Sequence, residues 1–107
     1  MRTDIIDDIY NTLLYYGDVK SQNQFSRDML GRSSRLYSLV LATHNPPALD
    51  VMLGLYARLG DLCEVAAKSG NTLKANKLDD LTTRLWDEIR TESLARGPFK
   101  RSKRRTL

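Results

Sequence analysis

Apolar residues fall on helical spacings along most of the chain. Ile5, Ile9 and Leu13 recur every fourth residue, Ile6 and Tyr10 widen the stripe, and Gly17 follows, which predicts a first helix capped by Asp4. A second helix is predicted over about 22–30, with Phe25, Met29 and Leu30 inward and Ser26 small enough to let another helix approach. Steps of about 100° along residues 34–43 put Leu36, Tyr37 and Val40 on one buried face and Ser34, Arg35, Ser38 and Ala42 on the opposite one. Leu49, Met52, Leu53, Tyr56 and Leu59 trace a helix over about 48–59 that Gly60 ends, and Leu62, Val65 and Ala66 mark a short one over about 61–68. The last predicted helix, about 72–95, is longer and carries Leu78, Leu81, Leu85 and Ile89 on one stripe with Trp86 beside it. The pattern predicts an all-α fold of five to six helices in one domain, residues 1–96, followed by a tail over 97–107.

Residues 21–47 carry the sharpest local signals. Ser21 and Gln24 have capping-box spacing, in which a serine oxygen and a glutamine side chain satisfy backbone N–H groups at a helix start. Gly31 supplies the backbone freedom to end that helix, and Ser33 can cap the next. Asn45-Pro46-Pro47 then breaks the chain, with Pro47 pre-set for a helical first turn. This is the outline of a helix-turn-helix at about 21–43.

Charge sharpens the picture. The formal net charge is +4, and Lys100, Arg101, Lys103, Arg104 and Arg105 in the tail account for more than all of it. Within the body, Met1 to Val19 is acidic, whereas Lys20, Arg27, Arg32 and Arg35 face only Asp28 between Lys20 and His44. Positive charge thus gathers on the helix-turn-helix and the tail, the distribution of a nucleic-acid footprint. The tail, FKRSKRRTL, has no apolar period and is expected to be flexible. No stretch approaches the run of about 20 apolar residues that a membrane span needs, and a cytoplasmic, nucleoid-associated protein is expected.

Catalytic and metal chemistry find little to work with. One cysteine, Cys63, and one histidine, His44, cannot make a disulfide, a zinc cage or a Cys-His pair, and their expected roles are core packing and a helix C-cap or phosphate contact. Asp7 and Asp8 are adjacent rather than on one helix face, and favour the positive end of the helix dipole. Gly54 lies inside a helical stripe and is read as a mark of close helix packing. There is no Gly-rich phosphate loop. The expectation is a protein that is not an enzyme and has no cofactor, metal or small-molecule ligand.

Ser21-Gln22, Phe25-Ser26, Leu30-Gly31, Ser33, Tyr37-Ser38 and Val40, followed by Pro47-Ala48-Leu49-Asp50 and Leu53-x-Leu55-Tyr56-Ala57-x-Leu59, resemble the Cro and CI-repressor type, or XRE-like, helix-turn-helix. The resemblance covers about Ser21 to Leu59, and implies a lambda-repressor-like core whose second helix of the pair enters the major groove. It implies that Gln22 contacts phosphate or a base at the start of the first helix of the pair. It also implies that Ser33, Ser34, Arg35 and Ser38 face bases and phosphates while Phe25, Tyr37 and Val40 are scaffold. Four positions depart from the family pattern: one extra residue stands between Gln22 and Gly31, Arg32 replaces an apolar residue, and Leu39 and Leu41 replace a charged residue and a glutamate. The phrase Phe25-Ser26-x-x-x-Leu30-Gly31-Arg32-Ser33 also resembles small uncharacterised bacterial proteins.

The leading expectation is a small bacterial or phage regulator that binds double-stranded DNA through Gln22, Arg32, Ser33, Ser34, Arg35 and Ser38, with the five basic tail residues on the backbone. The stripe of Leu78, Leu81, Leu85 and Ile89 on the last helix fits packing on the chain's own core and a seam that pairs two copies equally well, and the second would double the contacts on a two-fold site. The competing expectation is a helical adaptor that binds a protein through Leu36, Leu39 and Leu41.

Overall fold

The computed structural model describes residues 4–32, 35–43 and 47–96, and every regular element among them is helical. Ser33, Ser34, His44, Asn45, Pro46 and the tail over 97–107 lie outside the described residues. The chain is all-α, with α1 at Asp4–Tyr16, α2 over 22–29, α3 at Leu36–Thr43, α4 at Leu49–Lys68 and α5 at Thr72–Arg96.

A long hairpin of α4 and α5 forms the frame. Its turn is tight because Gly70, at φ +84°, lets the Asn71 N–H reach back to the Ala66 carbonyl, which satisfies orphan carbonyls at the end of α4. The helices then run antiparallel: the Cys63 thiol donates to the Ala75 carbonyl near the turn, and the rings of Tyr56 and Trp86 meet at 5.3 Å further along. α1 lies antiparallel on α5, fixed at one end by Asp8–Arg84 at 2.7 Å and at the other by Asp18–Lys74 at 2.8 Å. Lys74 also sits 5.5 Å from the centre of the Tyr16 ring.

Between these helices lies one core. Ile5, Ile6, Ile9 and Leu13 of α1 pack with Val51, Met52, Leu55 and Leu59 of α4 and with Leu78, Leu81, Leu85 and Ile89 of α5. Phe25 and Met29 of α2 close it together with Leu30 just after that helix, and Tyr37 closes it from α3.

Two expectations are corrected. Gly60 does not end a helix, because α4 runs unbroken through it over 20 residues, Leu49–Lys68, and the expected short helix over 61–68 is its C-terminal part. A glycine inside a helix costs roughly 1 kcal/mol. Leu55 and Leu59 before it are fully buried, and Leu62, Cys63 and Ala66 after it also pack inward. Burial of one leucine contributes about 1.5–3 kcal/mol, so packing on α5 outweighs the glycine. Nor are Leu78, Leu81, Leu85 and Ile89 open to a second copy, since all four are buried within the single chain. The large apolar side chains that α5 exposes are Leu73, Trp86 and Leu94.

Candidate nucleic-acid interface

The start of α2 is built by its own side chains. The Gln24 N–H donates to Ser21 Oγ at 3.1 Å, while Gln24 Oε1 accepts from the Lys20 N–H at 2.9 Å. The reciprocal bond therefore reaches one residue further back than the usual capping box. Ser21→Ala is expected to lower stability by about 1 kcal/mol, read as a shift in urea midpoint at unchanged slope.

After one α-turn, the helix widens. Residues Phe25–Met29 form a π-helical turn, in which the Leu30 N–H donates to the Phe25 carbonyl at 3.1 Å. An i→i+5 turn accommodates one residue more than an i→i+4 turn, so the extra residue between Gln22 and Gly31 is absorbed without displacing either end. Gly31 then reverses the chain at φ +68°, and the Arg32 N–H closes back on the Ser26 carbonyl at 3.1 Å.

Three further bonds fix where α3 starts. Ser26 is completely buried, and its Oγ accepts from the Tyr37 N–H at 2.9 Å, satisfying a first-turn donor of α3 from the neighbouring helix. Arg58 of α4 donates from Nη1 to the Met29 carbonyl at 2.8 Å, capping the end of α2. Its guanidinium lies against Gly31 and Gly54, where added Cβ atoms would stand 2.8 and 2.9 Å from its nitrogens. Gly54 is therefore explained by an arginine head four residues on rather than by a second helix backbone. Arg32 forms an ion pair with Asp50 in the first turn of α4.

The inward face of α3 is held equally firmly. Tyr37 donates its hydroxyl to Asp7 Oδ1 at 2.7 Å, which ties α3 to α1. Burial, and then the bond to Asp7, pushes the phenol well above its ordinary range, so Tyr37 is a neutral donor. The rings of Tyr10, Phe25 and Tyr37 meet pairwise, with centroids 4.9–5.3 Å apart.

The opposite face is open. Asn23, Arg35, Ser38, Leu39 and Ala42 line a shallow groove of about 530 Å³. Gln22 stands at its edge, with Ser38 Oγ donating to Gln22 Oε1 at 3.5 Å. Gln22, Arg35 and Ser38 are therefore brought together on one exposed surface; helical phase predicts a shared outer face for Arg35 and Ser38, while Gln22 is expected through the family resemblance. Arg32 is exposed but turned to Asp50. Ser33, Ser34, Lys100, Arg101, Lys103, Arg104 and Arg105 lie outside the described residues.

Asn23 and Leu39 belong to this groove; the sequence pattern does not single out Asn23, and it places Leu39 on a protein-binding surface rather than among the DNA contacts. For Leu39 the signal existed, because it follows Arg35 by one helical turn. Leu36 and Leu41, grouped with Leu39 as an adaptor surface, are instead half-buried against the core.

Among the described residues, no cluster of three or more His, Cys, Asp or Glu side chains is placed to hold a metal. No helix among them is long and apolar enough to cross a membrane. The family described as Family of unknown function (DUF6626) matches residues 6–101. The chain belongs to this family. The DUF6626 match runs from within α1 past the end of α5, so membership concerns the whole helical body rather than the α2–α3 pair alone. No curated protein and no solved structure matches the chain.

Proposed function

We propose that the chain is a DNA-binding protein, a small bacterial or phage transcriptional regulator that lays α3 in the major groove of duplex DNA. The observation that carries this reading is the asymmetry of α3. One face is locked by Tyr37 and Val40 in the core, and the other presents Arg35 and Ser38 with small Ala42 in an open groove. An α-helix with its side chains is about 10–12 Å across, a diameter that a groove about 12 Å wide admits. Among the described residues Arg35 has no carboxylate partner, and its planar head suits a guanine edge or a phosphate. Arg32 is half-exposed and Asp50 more so, and an exposed ion pair of this kind contributes about 0–1 kcal/mol. Arg32 can therefore exchange Asp50 for a phosphate at little cost. The π-helical turn supports the XRE-like reading of α2–α3, because it keeps Gln22 and Gly31 in the family's register despite the additional residue.

In this reading the tail residues Lys100 to Arg105 add salt-dependent affinity for any sequence. A two-fold pairing of chains would double the base contacts, and Leu53, Trp86 and Leu94 are exposed and available for it.

The test is selection of bound sites from a pool of random-sequence duplexes, across a range of salt, with the full chain. Enrichment of particular sites is expected. Arg35→Ala should weaken the selected site by about 1–3 kcal/mol while leaving nonspecific affinity nearly unchanged. Attraction to all duplexes alike, equal for both proteins, would count against sequence reading by α3.

An adaptor role is the second reading, favoured by one observation. Leu49, Leu53, Trp86, Ile89 and Leu94 line an apolar groove of about 420 Å³ between α4 and α5, on exposed surface. A protein complex that Leu53→Asp disrupts without loss of helicity would support it.

A further inference from the structure

Leu39 is 57% exposed, and it is the one large apolar side chain so exposed on α2 and α3 among the described residues. A single surface leucine ordinarily requires no explanation. This one stands among Asn23, Arg35, Ser38 and Ala42, inside the groove that the proposed function places against DNA. Its position is also fixed, because the helix beneath it is held by Tyr37 on Asp7 and by Ser26 on the Tyr37 N–H. The groove therefore offers a cationic donor, an adjacent hydroxyl and a rigid apolar point on one stripe of one helix.

The wall of the major groove is almost wholly polar. Its only methyl group is the C5 methyl of thymine; guanine, cytosine and adenine show hydrogen-bonding atoms there. Against those atoms a leucine would displace water and return no bond, whereas against the thymine methyl it buries apolar surface. We infer that Leu39 is a specificity residue that reads the 5-methyl group of thymine. Arg35 and Leu39 are one turn apart, about 6 Å along the helix, which is about two base-pair steps of 3.4 Å. The preferred site therefore carries a thymine within about two steps of the guanine or phosphate that Arg35 engages. Ala42, one turn beyond Ser38, leaves room for the methyl-bearing edge to approach.

This inference rests on the DNA-binding reading, and its test separates the two. The preferred duplex is first selected by the full chain, and each thymine is then replaced singly by deoxyuridine, which removes the methyl and keeps the base pair. For the wild-type chain, one such replacement should weaken binding about four-fold, the effect of burying one methyl-sized group. Leu39→Ala should bind the thymine and deoxyuridine duplexes equally, with helicity by circular dichroism unchanged because the side chain is exposed. Leu39→Met, which keeps an apolar tip, should retain the preference. If the chain selects sites but no deoxyuridine replacement matters, or if Leu39→Ala still distinguishes the two bases, the inference is overturned and the DNA-binding reading stands. If the chain selects no sites at all, both fall together.

Discussion

Replacing Phe25 by alanine should lower the stability of the chain by about 3–5 kcal/mol. The size of the effect follows from where the ring sits. Phe25 is fully buried at the start of the π-helical turn, and its ring contacts Tyr10 of α1 at 5.3 Å and Tyr37 of α3 at 4.9 Å. One side chain thus joins three helices, and each aromatic pair adds about 0.5–1.5 kcal/mol beyond the area it buries. The hydrogen bond from Tyr37 to Asp7 depends on the same wall, because the phenol is positioned by the rings on either side of it. Domains of this size are stable by about 5–15 kcal/mol, so the variant forfeits a large share of the total. Urea unfolding followed by circular dichroism measures it, and the midpoint should fall with little change in slope. A loss below about 1 kcal/mol would mean that the three rings do not form the joint between α1 and α2–α3.

How far this architecture can be read from the sequence depends on the range of the forces involved. The stripes of α1 and α5 are legible because long amphipathic helices repeat one signal: Ile5, Ile9 and Leu13, then Leu78, Leu81, Leu85 and Ile89, are all buried. The same stripe cannot tell which surface covers it, and for that reason the α5 leucines read equally well as a seam between two chains. Gly60 misleads in the other direction. Its local preference marks a helix end, but the apolar residues on both sides of it pack on α5, and that tertiary gain decides. In the candidate interface, Arg35 and Ser38 were legible from helical phase and Gln22 through the family resemblance, and all three are exposed. Leu39 shares that phase and was obscured by its apolar character. The π-helical turn left a trace only as one residue too many between Gln22 and Gly31. Arg58 left none, because its bond to Met29 spans 29 residues and no periodicity encodes it.

Arg58 is also the basis of the second large effect expected. Gly31→Ala should cost about 2.5–5 kcal/mol, from two sources that act at one place. An alanine at φ +68° enters the left-handed region, at about 1–2 kcal/mol. Its Cβ would also lie 2.8 Å from Arg58 Nη2, so the guanidinium must move from the Met29 carbonyl, a charged hydrogen bond of about 1.5–3 kcal/mol. The two sources can be separated by a double-mutant cycle with Arg58→Ala. Once the arginine is gone, Gly31→Ala has only the backbone cost left, so the double variant should be more stable than the sum of the single losses predicts by about 1 kcal/mol or more. Additivity within about 0.3–0.5 kcal/mol would show that the arginine head moves aside freely and that backbone conformation alone demands the glycine. The same cycle bears on function, because Gly31 and Arg58 together set where α2 ends and the turn toward α3 begins. Under conditions where every variant is folded, Gly31→Ala and Arg58→Ala should each reduce site selection from the random pool while sparing nonspecific affinity. Neither residue lines the α2–α3 groove, and their effect on selection would come from moving α3 relative to α2.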